Sequence, residues 1–201
     1  MPQLTTPEEL FVHELQDMYY AEQTLTKVLP KLASESTDRE LSKAFTSHLA
    51  ETREQIENLE QVFQNIGKPA KGERCPGIEG IKEEHESFMQ ENSPTPALLD
   101  VHLTGAAARA EHYEIAAYTG LIEKARALGE RDSVKLLQEN LRQEKEAAKK
   151  VESISKRMLK ATNGSSSRKR SNGSASRARS TGGSSTRKRT SGSTSRSRRR
   201  S

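Results

Sequence analysis

Through most of the first 160 or so residues, apolar side chains recur at three- and four-residue steps and nowhere alternate at every second position. That spacing gathers them on single faces of α-helices and predicts no strand. The first helix carries Phe11, Leu15, Met18, Glu22, Leu25, Leu29 and Leu32 on one face. It opens with Thr6 as N-cap, Pro7 at the first helical position and Glu9 closing a capping box. Pro30 is expected to kink it near its end.

After a short break at 34–37, Thr37-Asp38-Arg39-Glu40 reads as a second capping box. The helix behind it carries Leu41, Phe45, His48, Thr52, Ile56, Leu59, Phe63 and Ile66, and Gly67 is its stop. Residues 68–96 are punctuated by proline and glycine, with one short helix expected over 78–89. Thr95-Pro96 opens a third long helix, striped by Leu103, Ala107, Ala110, Glu114, Ala117 and Leu121 and closed by Gly129. The fourth carries Val134, Leu137, Leu141, Glu144, Ala148, Val151, Ser155 and Met158. Short, long and short connections between four helices predict a ferritin-like all-α bundle with one crossover. A simple up-and-down bundle needs no such middle link.

Composition divides the chain. From residue 163 to the end there are 12 Lys or Arg and no acid, which leaves 21 of the 33 bases against 28 acids in 1–162. The first part is expected to be the ferritin-like domain. The second, rich in Ser, Gly, Arg and Lys, is expected to be a disordered tail, because it has too little apolar surface to offset its ordering entropy. Its basic triplets, Arg168-Lys169-Arg170, Arg187-Lys188-Arg189 and Arg198-Arg199-Arg200, point to nucleic acid or another polyanion as partner. Without aromatic residues to stack on bases, such binding is phosphate-driven and sequence-independent. The single Cys75 excludes an intramolecular disulfide framework and fits a reducing compartment, as an unpaired thiol in a loop. No basic-then-apolar start and no run of membrane-spanning length is seen. A cytoplasmic, nucleoid-associated protein with no membrane partner is the expectation.

The chemistry lies on the stripes. Glu22, His48, Glu114 and Glu144 each occupy an apolar face on a different helix, with Glu51 and Glu111 three residues from His48 and Glu114. Unpaired buried carboxylates cost several kcal/mol each, enough to consume a domain's roughly 5–15 kcal/mol of stability. No Lys or Arg lies on the stripes, and Arg109 beside the third neutralises one acid at most. Two divalent cations, iron or manganese, offset the penalty, which makes these six residues candidate metal ligands. The opposing reading treats each acid as an edge residue facing water. Tyr19, Tyr113 and Tyr118 read as core aromatics and also as candidates to hydrogen-bond ligand carboxylates, Tyr19 and Tyr118 foremost. His112 reads as a surface or interface histidine; His13, His85 and His102 acquire no partner.

Four segments in order resemble the YciE/YciF family: Glu14-Leu15 with Tyr19, Ala21 and Glu22; Leu29-Pro30-Lys31; Ala44-Phe45 with His48, Leu49, Glu51 and Thr52; and Glu111-His112-Tyr113-Glu114-Ile115 with Tyr118. The resemblance covers about 7–159 and leaves out the tail. It implies a ferritin-like, dimeric helical domain with a two-metal centre and a link to bacterial stress responses. The order His48-x-x-Glu51 reverses the ferritin-like Glu-x-x-His, and Ala147 stands where the fourth helix would carry its histidine. Two functions follow: a di-metal centre handling peroxide, O2 or iron, or a metal-free scaffold protein held to nucleic acid by its tail.

Overall fold

The computed structural model describes residues 4–175, with side chains through residue 162. Its regular elements among the described residues are helices: α1 (Pro7–Glu35), α2 (Arg39–Asn65), α3 (Pro76–Glu91), α4 (Pro96–Leu128) and α5 (Arg131–Ala175). The chain divides into Met1–Asn163 and Gly164–Ser201. Contacts described below belong to the first unit.

Side-chain pairs fix the helix directions. Ser42 donates to the Ala33 carbonyl near the α1–α2 turn, and Tyr19 donates to Glu60 at the other end, so α1 and α2 are antiparallel. Pairs Gln55–Glu144, Asn58–Asn140 and Asp38–Arg157 make α5 antiparallel to α2. Pairs Glu22–Tyr118 and Glu14–Lys124 make α4 antiparallel to α1. α2 and α4 are therefore parallel and diagonal, and the chain must travel back along the bundle between them. Residues 68–95 make that journey, which is the ferritin-type arrangement. α3 lies within this crossover, and Ile78 is its one fully buried residue.

The helix ends follow local chemistry with one correction. Thr6 and Glu9 form the expected capping box. The N-cap of α2 is Asp38 rather than Thr37: Asp38 accepts from the Glu40 and Leu41 amides. Thr37 is drawn away because its amide and hydroxyl donate to the buried carboxylate of Asp100 on α4. α1 continues as helix through Pro30. Gly67 and Gly129 take left-handed φ values of 66° and 81° after α2 and at the end of α4, a conformation that favours glycine.

Two buried stripes differ from the expected ones. On α5 the buried face runs Ser133, Leu137, Asn140, Glu144, Ala148, Val151, Ile154 and Met158, so Ile154 replaces Ser155 and Asn140 replaces Leu141. On α2, Gln55 is buried and Ile56 only half-buried. α5 extends past the composition boundary at residue 163. The disordered tail expected there otherwise lies outside the described residues, as do the side chains of all three basic triplets.

Candidate metal centre

Each bundle helix brings an acid or imidazole into the interior, and α4 brings two. Nitrogen and oxygen atoms of His48 (α2), Glu111 and Glu114 (α4) and Glu144 (α5) lie within 4.8 Å of one another. His48 Nε2 is 3.4 Å from Glu111 Oε1 and 3.9 Å from Glu144 Oε2. Glu22 on α1 is fully buried beside this group, and its charge acts on both Glu111 and Glu114. The expected Glu22, His48, Glu111, Glu114 and Glu144 thus come together, although Glu22 stands outside the tightest cluster.

Glu51 sits on the outer side. Its Oε2 is 3.4 Å from His48 Nδ1, and its side chain is 40% exposed. A carboxylate there orients the imidazole and leaves Nε2 for the interior. Tyr118 is fully buried and donates to Glu22 Oε1. Tyr19 does not approach the centre: its hydroxyl donates to Glu60 at 2.7 Å while its ring packs edge-on against Phe63. Three residues from Glu22 along α1, it turns toward α2 instead.

Among the described residues, basic side chains do not compensate these carboxylates. Both oxygens of Glu114, and one each of Glu22, Glu111 and Glu144, are buried without a hydrogen-bond partner. No lysine or arginine is among the buried residues described. Arg109 pairs with Glu84 at 2.9 Å on the surface. Burial, reinforced by the neighbouring Glu144 charge, drives the Glu22, Glu111 and Glu114 carboxyls well above their ordinary range. Such a set of acceptors fits hard or borderline divalent cations bound by oxygen and one imidazole.

Two amides that hydropathy spacing left unremarked complete the surroundings. Gln55 donates its side-chain amide to Glu144 Oε1. Asn140 donates to the Tyr118 hydroxyl at 3.0 Å and to the Gln55 carbonyl at 3.2 Å, and accepts from Asn58. Gln55 lies seven residues after His48, and Asn140 four before Glu144. Helical spacing from a ligand was the available signal.

The other expected residues have ordinary settings. His112 is exposed, with Nδ1 2.8 Å from the Ala108 carbonyl. His13 meets Glu73 at 3.4 Å. His85 and His102 do have partners: their rings are 3.1 Å apart at the nearest nitrogens, and His85 also reaches Glu35. Cys75 is buried at the start of α3, its Sγ 2.7 Å from the Tyr113 hydroxyl. Burial and that thiol raise the Tyr113 phenol.

A helical bundle with one crossover and an inward-facing Glu/His cluster defines a ferritin-like protein with a possible metal site. Residues 6–163 match the family described as a domain of unknown function, DUF892, and the chain belongs to that family. It is 41% identical over 143 residues to Protein YciF of Escherichia coli K12, spanning 71% of this chain and 86% of that one. Among solved structures, the E. coli stress protein YciF superposes with a TM-score of 0.74 at 37% identity, covering 78% of this chain and 99% of the other. YcfI of Rhodopseudomonas palustris gives 0.72 at 43% identity, covering 75% and 95%. No described helix is long and apolar enough to cross a membrane.

Proposed function

We propose that this is a stress-response protein whose bundle holds two iron or manganese ions and uses them on peroxide or dioxygen. The observation that carries the reading is the set of five buried carboxylate oxygens without partners around a single imidazole. Leaving that much charge uncompensated opposes folding by several kcal/mol per ion. His48, Glu111, Glu114 and Glu144 are the ligands, with Glu22 as the fifth donor. Tyr118 and Gln55 hold Glu22 and Glu144 in orientation, and Glu51 sets the His48 ring. When bound, an iron or manganese pair supplies electrons to an oxidant.

The decisive experiment follows peroxide and dioxygen consumption by protein loaded anaerobically with ferrous ion. Turnover is expected in the unaltered chain and lost in Glu111→Gln and Glu144→Gln. Equal consumption by all three would remove the site from the chemistry.

The protein is further proposed to act as a homodimer tethered to nucleic acid by the basic segment from residue 163. The 12 bases without an acid in that segment favour the tether. If about ten phosphates are engaged, log K falls with log salt at a slope near −9. Deleting 163–201 is expected to abolish DNA retention at low salt, and retention by the truncated chain would rule the tether out. A protein with this tail but no metal would be the scaffold of the second reading.

A further inference from the structure

We infer that the space beneath α3 is a binding site for a single-chain aliphatic molecule. α1, α3 and α4 enclose about 340 Å³, within the roughly 300–1,000 Å³ typical of small-molecule sites. Leu25 and Leu29 from α1, Ile78 and Ile81 from α3, and Ala107 and Ala110 from α4 wall it. No Phe, Tyr or Trp lines it, and its two imidazoles, His48 and His85, stand at the inner end and the rim, so the walls between them are aliphatic and suit a flexible chain. The inner end is formed by His48, Glu111 and Glu114, with three of the unpartnered carboxylate oxygens on the two glutamates.

The rim does not select a head group by charge. Lys31 and Glu86 are both exposed there, while Lys82 pairs with Glu79 and His85 with Glu35. Recognition therefore falls to the chain. α3 fits this role: besides Ile78, its Ile81 and Met89 are only half-buried and face the same space. An aliphatic tail would cover the apolar surface that Ile81 and Met89 still expose.

The centre has a second, more polar approach, although Phe45 and Val151 also line it. Between α2 and α5 a cleft of about 180 Å³ is lined by Glu51, Glu146 and Lys150, with His48 and Glu111 at its inner end. Ions have that polar approach, so the apolar space is not needed for them. The inference goes beyond the metal reading, because the walls stand whether or not cations are held.

Dodecanoate and dodecan-1-ol, titrated separately into the full-length metal-treated protein by calorimetry, test it. One-to-one binding of either probe is expected, and the one that binds tighter identifies the head group. Ala107→Phe fills the space and Val28→Trp obstructs its half-buried wall. Each should weaken binding about tenfold or more, equivalent to losing the burial of about two methylenes, with metal content and helicity unchanged. Should Ala107→Phe fail to fold, Val28→Trp decides. Absence of binding by both probes, as when a second copy of the chain closes the space, overturns the inference, and so does binding unaffected by the variants. Protein that binds a probe yet holds no metal would sink the metal reading alone.

Discussion

Tyr118 donates its hydroxyl to Glu22 across the α1–α4 interface, and neither side chain is exposed to solvent. The phenol also accepts from Asn140, so a chain of neutral donors from α2, α5 and α4 ends on one carboxylate. Tyr118→Phe would leave Glu22 with no partner and Asn140 with one fewer. A loss of about 1–3 kcal/mol is expected in urea denaturation. Metal affinity should fall about tenfold or more, since such supporting groups orient ligands. An unchanged affinity in calorimetric titration would mean that Glu22 lies outside the ligand set.

Neutralising a ligand should act in opposite directions on stability and metal binding. Glu114 has two buried oxygens without partners, so Glu114→Gln removes a charge that the metal-free fold accommodates poorly. We expect the metal-free variant to be about 1–3 kcal/mol more stable than the unaltered protein while binding no metal stoichiometrically. Denaturation after exhaustive chelation measures the first effect, and destabilisation there would show that Glu114 has an unrecognised partner.

The same charges predict an inverted pH dependence. Burial raises the folded-state values of Glu22, Glu111 and Glu114 above those of the unfolded chain. The folded state therefore binds more protons, and this contribution is fully present below the unfolded values and lost as pH rises through the raised ones. Metal-free protein should have a higher urea midpoint at about pH 5.5 than at about pH 8. Metal-loaded protein should show the reverse, as protons displace its cations. A flat profile after chelation would contradict the electrostatic account.

Gly77 lets α3 rest against the Tyr113 ring. A Cβ on this residue would stand 2.5 Å from Tyr113 Cε2, inside any normal contact. Gly77→Ala should displace the ring from Cys75 Sγ and loosen α3, at a cost of about 1–3 kcal/mol. Faster reaction of Cys75 with a thiol reagent would report the loosening, and unchanged protection would show that the ring adapts.

Much of this arrangement was legible in the sequence because helical spacing is a strong signal over long elements. The stripes of α1 and α4 place Glu22 and Glu114 among leucines and alanines, and the long link between α2 and α4 fixes the crossover. Less legible were residues whose role depends on direction within a turn. Hydropathy spacing selects Ile56 over Gln55 and Leu141 over Asn140, since it favours the apolar neighbour when two adjacent positions compete for one face. Thr37 gave way to Asp38 as a cap through a carboxylate, Asp100, sixty-three positions away. Tyr19 shares a helix with Glu22 but turns to Glu60, a choice that pairing across helices determines.

Metal content of the purified protein, measured by mass spectrometry beside Glu114→Gln and Glu144→Gln, tests the central claim most directly. Two iron or manganese ions per chain in the unaltered protein, and loss of both in each variant, are expected. A folded protein that holds none after incubation with either metal would leave the buried carboxylates without their proposed counter-ions.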